Sequence, residues 1–176
     1  MRVGDQIMEW GSRTYIMGIL NITPDSFSGD GLLNEGVEDA VRQARTFAAA
    51  GVDIIDIGGE STRPGADTVT LEEELTRVIP VVDALVKELD VLISIDTYKA
   101  PVARAALEAG ADILNDVWGL RADPHMAEVA AAYQVPVILM HNRSNPGNAE
   151  IREQLGGRYV GVDYEDLLQD VRRELM

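Results

Sequence analysis

The chain reads as an α/β protein built on a parallel sheet, and three features of the sequence predict it. Five short apolar runs alternate with longer segments whose apolar residues recur at helical spacing. Glycines and capping residues punctuate the joints. Each apolar run also ends on a cluster of polar groups, the pattern of a buried strand opening into a working loop.

Met1 to Trp10 alternates weakly and Gly11-Ser12-Arg13 reads as a turn, so the opening is expected to form a short hairpin that plugs or flanks the core. The first strand of the repeat, Tyr15 to Leu20, empties into Asn21-Ile22-Thr23-Pro24-Asp25-Ser26-Phe27-Ser28-Gly29-Asp30-Gly31. Pro24 restricts its own φ and biases Thr23 toward extended geometry, so polar groups emerge in a partly fixed array. Val37, Val41, Ala44 and Ala48 then mark a helix stopped at Gly51.

Ile54 to Gly58 is the second strand, followed by the polar loop Gly59 to Ala66. Thr70 and Glu73 form a capping-box pattern opening a helix that carries Leu71, Leu75, Val78, Ile79, Val82, Leu85 and Val86. The third strand, Val91 to Ile95, ends in Asp96-Thr97-Tyr98-Lys99, and its helix runs from Ala100 to Ala109 with Gly110 as the stop. A fourth, Ala111 to Leu114, ends in Asn115-Asp116; Asp123 is expected to cap the next helix and Pro124 to start it. The fifth, Val135 to Met140, ends in His141-Asn142-Arg143. Beyond it Asn145 to Asn148 and Gly156-Gly157 read as turns, and Asp163 to Met176 as a helix with Tyr164, Leu167, Leu168 and Val171 on one side.

Composition bounds what such a fold can do. The 176 residues make one domain of ordinary α/β composition and are short for a complete eight-unit barrel, for which ~250 residues is typical. The absence of cysteine excludes disulfides, thiolate catalysis and cysteine-bound zinc. A formal charge of -15 argues against a broad nucleic-acid surface. No apolar run reaches the ~20 residues of a membrane span, and the N-terminus has no basic stretch followed by an apolar one. The expectation is a cytoplasmic, soluble protein.

In parallel α/β folds the carboxyl ends of the strands converge on one face, where ligands bind. Asn21, Thr62, Arg63, Asp96, Asn115 and Met140 would meet there. Asn21, Asp25 and Asp30 offer oxygen ligands suited to magnesium, although a solvated turn rich in Asp and Ser has the same composition. Asp96 could instead cap the following helix or pair with Lys99, Arg63 could be a solvated loop charge, and Met140 could be plain core. His141 is either a general base or a partner for a strand-end backbone group. Asp56, inside a strand, is expected to make a structural hydrogen bond.

Met17-Gly18-Ile19-Leu20-Asn21-Ile22-Thr23-Pro24-Asp25-Ser26-Phe27-Ser28, then Asp56-Ile57-Gly58-Gly59-Glu60-Ser61-Thr62-Arg63-Pro64-Gly65, then Ile95-Asp96-Thr97 and Ile113-Leu114-Asn115-Asp116 resemble, in order and spacing, the signatures of the dihydropteroate synthase family. The resemblance runs from about Tyr15 to about Arg143. It implies a (β/α)8 TIM barrel that joins p-aminobenzoate to a hydroxymethyl-dihydropterin diphosphate with magnesium (Mg2+) assistance, releasing diphosphate in folate biosynthesis. Asn21 looks like the family's magnesium and diphosphate ligand, and Thr62 like its diphosphate contact. Arg63 and Pro64 resemble the loop that shapes the p-aminobenzoate pocket. Asp96 and Asn115 resemble the pair on the pterin edge, with Val117 and Met140 lining the ring pocket. The implied partners are these small molecules, with no nucleic acid or membrane, and a homodimer when the chain is intact. The family is also the sulfonamide target.

Two departures qualify the resemblance. His141-Asn142-Arg143-Ser144 replaces the Met-Gln-Gly run found after the fifth strand in many members. The family's Asp from the sixth strand, Lys from the seventh, and Arg and His from the eighth have no counterpart, so residues 1–176 are expected to be a C-terminally incomplete pterin-binding domain of about five strands with little or no turnover. The other readings are the pterin-binding domain of a methyltetrahydrofolate corrinoid methyltransferase, which the Ser61-Thr62-Arg63-Pro64 loop disfavours, and a non-catalytic homologue or interaction partner.

Overall fold

The computed structural model describes residues 1–22, 33–61, 68–144, 146–155 and 161–176, with only the backbone at 33–35. A hairpin of β1 (Arg2–Val3) and β2 (Gln6–Ile7) precedes five βα steps. These are β3 (Met17–Asn21), α1 (Leu33–Ala49), β4 (Ile54–Gly58), α2 (Leu71–Glu88), β5 (Leu92–Asp96), α3 (Ala100–Glu108), β6 (Ile113–Asp116), α4 (Met126–Tyr133) and β7 (Val137–Leu139), followed by α5 (Ala149–Gln154) and α6 (Leu167–Leu175). The larger sheet is parallel throughout in the order β3-β4-β5-β6-β7, so every expected strand pairs with its neighbour in sequence.

Alternation along the strands separates two faces. Leu20, Ile55, Ile57, Ile93, Ile95 and Leu114 point to one side and pack with Val41, Ala44, Val78, Val82, Leu85, Val102, Ala106 and Val129 of the covering helices. Ile57 and Ile95 are fully solvent-excluded, so trimming either to alanine would cost roughly 2–5 kcal/mol. The other face carries Ile54, Leu92 and Ile113 at its lower end, closed by Val3 and Met8 from the opening segment. The expected plug is therefore present. The β1–β2 hairpin turns at Gly4-Asp5, where Gly4 supplies the positive φ of 52° that so short a hairpin needs, and the expected turn at Gly11-Ser12 is a separate one bridged by Trp10 and Arg13.

Caps explain where several helices begin. Thr70 and Glu73 make the full reciprocal capping box on α2, as expected. Asp123 behaves otherwise: its Oδ2 accepts the Ala100 N–H of α3 at 2.8 Å, and its Oδ1 accepts the His125 N–H at 2.9 Å. It thus ties α3 to the turn before α4, which starts at Met126 instead of Pro124. The Asn148 side chain caps α5, where sequence suggested only a turn, and Asp166 caps α6, shortening the expected terminal helix. On α6, Leu167 and Leu168 are exposed while Asp170 is buried, so its polar side and not its apolar side faces the protein.

The sheet has two edges, β3 and β7. Ile19 at one edge and Ile138 and Met140 at the other are exposed on the face opposite the helices.

Candidate functional site at the strand ends

The face opposite the helices is built in tiers, fixed by the strand register. Met17, Ile54 and Leu92 stand abreast at the bottom; Ile19, Asp56, Ser94 and Ile113 form the next row; Asn21, Gly58, Asp96, Asn115 and Ile138 form the top. Apolar character thus gives way to polar character toward the carboxyl ends. Gly58 leaves a gap in the top row: a Cβ built there would lie 3.5 Å from Asp96 Oδ2 and 3.9 Å from Asn21 Oδ1. Both oxygens are therefore directed at one side-chain-free space.

Asp96 makes no hydrogen bond through its carboxylate among the described residues, and its pKa is pushed up to about 7. Burial is the main cause, and the like charges of Asp56, Asp116 and Glu74 add to it. Neither bland alternative for this residue holds: Asp123 caps α3, and Lys99 Nζ binds Glu60 and Glu74 at 2.5 Å each. A half-buried carboxylate without a partner, aimed at an open space, is a ligand-binding feature.

Beneath it, Asn115 Nδ2 donates to Asp56 Oδ2 at 3.0 Å, reaching from β6 across β5 to β4. Asp56 is buried and its pKa is raised, chiefly by that burial. Ser94 is close enough to offset the rise in part, yet Ser94 Oγ and Asp56 Oδ1 do not meet hydrogen-bond geometry, and both are buried with no hydrogen-bond partner among the described residues. The expectation that Asp56 makes an inward structural bond is met.

Around the row lies a supporting layer of buried charge. Lys99 Nζ also donates to the Val69 carbonyl at 2.8 Å, so one ammonium holds Glu60, Val69 and Glu74. Thr97 Oγ1 donates to Glu74 at 2.7 Å and the Tyr98 hydroxyl to Glu60 at 2.9 Å. Gly59 admits α2 this closely, since a Cβ there would sit 2.7 Å from Val78 Cγ1 and 2.9 Å from Glu74 Cγ. On β6, Asp116 accepts the N–H groups of Trp118 and Leu120, at 2.8 Å each, and fixes the turn after the strand.

The sequence-derived candidates divide accordingly. Asn21, Asp96 and Asn115 share one row, and Met140, exposed at the far edge beyond β7, is not core. Val117 is partly buried and packs against the smaller cluster of Tyr98, Trp118 and Ile151. Thr62, Arg63, Pro64, Asp25 and Asp30 lie outside the described residues. His141 Nε2 meets Glu174 of α6 at 2.8 Å, so its partner is a side chain and not the strand-end backbone. Arg143, beside it, binds Glu174 and Asp170 and stacks on Tyr164. Sequence reading passed over the Glu60–Lys99–Glu74 group. Its signal was helical phase, since Glu74 falls on the same buried stripe as Val78, Val81, Val82 and Leu85.

No group of three or more His, Cys, Asp or Glu among the described residues is arranged to hold a metal ion. Oxygen atoms of Asn21 and Asp96 border the space above Gly58, and their chemistry suits a hard cation that draws its other ligands from phosphate and water.

Comparisons with known proteins bear on this geometry. The family model described as pterin binding enzyme matches residues 17–175. The chain is 51% identical over 171 residues to a dihydropteroate synthase of Synechocystis sp., covering 97% of the chain and 56% of that protein, and 46% identical over 175 residues to that of Clostridium beijerinckii, covering 99% and 59%. It thus spans just over half the length of these relatives. A crystal structure of dihydropteroate synthase from Clostridium difficile in the presence of pteroic acid superposes with a TM-score of 0.82 at 46% identity, over 96% of this chain and 58% of that one. With the five parallel strands, the polar row at their carboxyl ends and a match that spans nearly the whole sequence, this chain belongs to the pterin-binding enzyme family.

Proposed function

We propose that residues 1–176 form the pterin- and metal-binding part of a dihydropteroate synthase, which condenses a hydroxymethyl-dihydropterin diphosphate with p-aminobenzoate. The observation that carries this reading is the row of Asn21, Gly58, Asp96 and Asn115, with at its centre a carboxylate that makes no hydrogen bond among the described residues. A pterin has a guanidine-like edge of N–H donors, and a carboxylate accepts two such bonds.

In the reaction the methylene C–O bond to diphosphate breaks, the arylamine nitrogen forms the C–N bond, and that nitrogen loses a proton. Positive character grows at the methylene and negative charge on the leaving diphosphate. Asp96 would hold the pterin edge and stabilise the developing cation. Asn21, at the strand mouth, would offer an oxygen to Mg2+, which when bound would neutralise the leaving diphosphate. Thr62 would meet the diphosphate, Arg63 and Pro64 would shape the arylamine pocket, and Val117 and Met140 would flank the ring. The small-molecule substrates, a homodimeric whole protein and a cytoplasmic location belong to the same reading; no described helix is long and apolar enough to cross a membrane.

Calorimetric titration of the folded chain with the pterin diphosphate, with and without Mg2+, tests it. Binding is expected to need Mg2+ and to disappear in Asp96→Ala and weaken in Asn21→Ala. It should also strengthen as pH rises through about 7, by close to tenfold per unit below that value, because only the ionised Asp96 accepts both N–H bonds. Binding unaltered in Asp96→Ala would sink the reading.

A further inference from the structure

We propose that Asp56 is a positioning residue: it fixes which end of the Asn115 amide faces the open side of the sheet, and so sets the site to recognise hydrogen-bond donors. That an Asn stands at the end of β6 does not decide this, because a carboxamide has a donor end and an acceptor end of nearly equal shape. Asp56 decides it. Its Oδ2 receives the Asn115 Nδ2–H at 3.0 Å, and an ionised carboxylate can only accept. With one of its two N–H bonds engaged there, the amide's flip is fixed and its Oδ1 end is turned to the ligand side, next to the Asp96 carboxylate on the neighbouring strand in the same row.

The arrangement resists protonation as well. Asp56 Oδ1 is buried with no hydrogen-bond partner among the described residues, so a proton taken there leaves Oδ2 an acceptor and Asn115 unturned. The contact also spans an intervening strand, tying β6 to β4 across β5. Asp56 thus acts on the strand-end row from the row beneath it.

Two acceptors side by side favour an N–H and NH2 edge and reject a carbonyl at the same place. The selectivity consequence rests on the pterin reading above; the amide orientation does not. The probes are 6-hydroxymethylpterin and its 2,4-dioxo counterpart, which replaces the 2-amino donor by an oxygen acceptor. Wild type is expected to prefer the amino compound by roughly tenfold to a hundredfold, the scale of one mismatched buried hydrogen bond. Asp56→Ala should shrink that preference to a few-fold by letting Asn115 turn. The reciprocal swap, Asp56→Asn with Asn115→Asp, should restore it, since the new amide donates to the new carboxylate and one carboxylate oxygen again faces the ligand. A purely structural role for Asp56 would lower affinity for both probes alike and gain nothing from the swap.

The ligand-free measurement is the 1H–15N signal of the Asn115 side-chain amide in the full chain. Its hydrogens are expected to exchange slowly with solvent, and to exchange at the rate of an exposed asparagine in Asp56→Ala. Should Asp56→Ala fail to fold, the isosteric Asp56→Asn and the swap carry the same comparison. Slow exchange with no binding of either probe would uphold the orientation and remove the pterin reading. Exchange unchanged by substitution at Asp56, or a swap that binds the amino compound no more selectively than Asp56→Ala, would overturn the proposal.

Discussion

Replacing Asp96 by asparagine should stabilise the fold at alkaline pH and leave it nearly unchanged at acidic pH. The Asp96 carboxyl keeps its proton up to about pH 7 in the folded chain, whereas an unfolded aspartate releases its own near 4. Between these values the folded state binds more protons, so the stability supplied by Asp96 is complete below about pH 4 and is lost as pH rises to about 7. A shift from 3.8 to about 7 makes ionisation cost the fold about 2–3 kcal/mol more at pH 8 than at pH 5. Asparagine has the same size and no charge, so the variant lacks this slope. With a urea dependence of about 2 kcal/mol per molar, the two midpoints should coincide below about pH 4, and the gap between them should widen by about 1–1.5 M from pH 5 to pH 8, the variant being the more stable. Parallel midpoints across that range would show that Asp96 is either solvated or paired, and the electrostatic account of the site would fall with it.

Other perturbations test other parts of the structure. Lys99→Met leaves two buried carboxylates without their cation and should cost about 3–5 kcal/mol in urea unfolding; adding Glu74→Gln should recover part of it. Gly59→Ala drives a Cβ into Val78 and Glu74 and should destabilise by about 1–3 kcal/mol, read from the thermal midpoint. Glu174 is held well below the usual carboxylate range, first by its hydrogen bonds from Arg143 and further by His141. Its contribution is present above the ordinary glutamate value and disappears as pH falls toward about 2, so amide exchange in α6 should accelerate over that window and do so no further in Glu174→Gln.

Much of the sheet was legible because its signals are local. Each strand is a short apolar run and each covering helix a periodic one, and consecutive βα steps leave few ways to order the strands. The errors cluster where a side chain's partner is distant in sequence. Asp123 sits at a plausible cap for α4, and nothing near it reveals that Ala100, 23 residues earlier, takes one of its oxygens. Likewise Tyr164, Leu167 and Leu168 look like a buried face, yet Arg143 and His141 draw Asp170 and Glu174 inward and turn the apolar side out.

The site followed the same division. Asn21, Asp96 and Asn115 could be grouped from sequence because each ends a strand, and parallel register turns that shared position into shared location. What the three do together was not legible, because it depends on charges in the row below and behind them. Lys99, three residues from Asp96, would have neutralised it had it turned that way; Glu60 and Glu74 hold the ammonium instead and leave Asp96 without a partner among the described residues. Asp56 likewise accepts one N–H of Asn115 from the row below and so fixes the flip of that amide. The acceptor character of the strand-end row is thus made by groups that never enter it, each satisfying a cation or a donor that would otherwise quench the row. Substitution at Asp56 should therefore change what the site accepts, whereas substitution at Lys99 should cost stability as well.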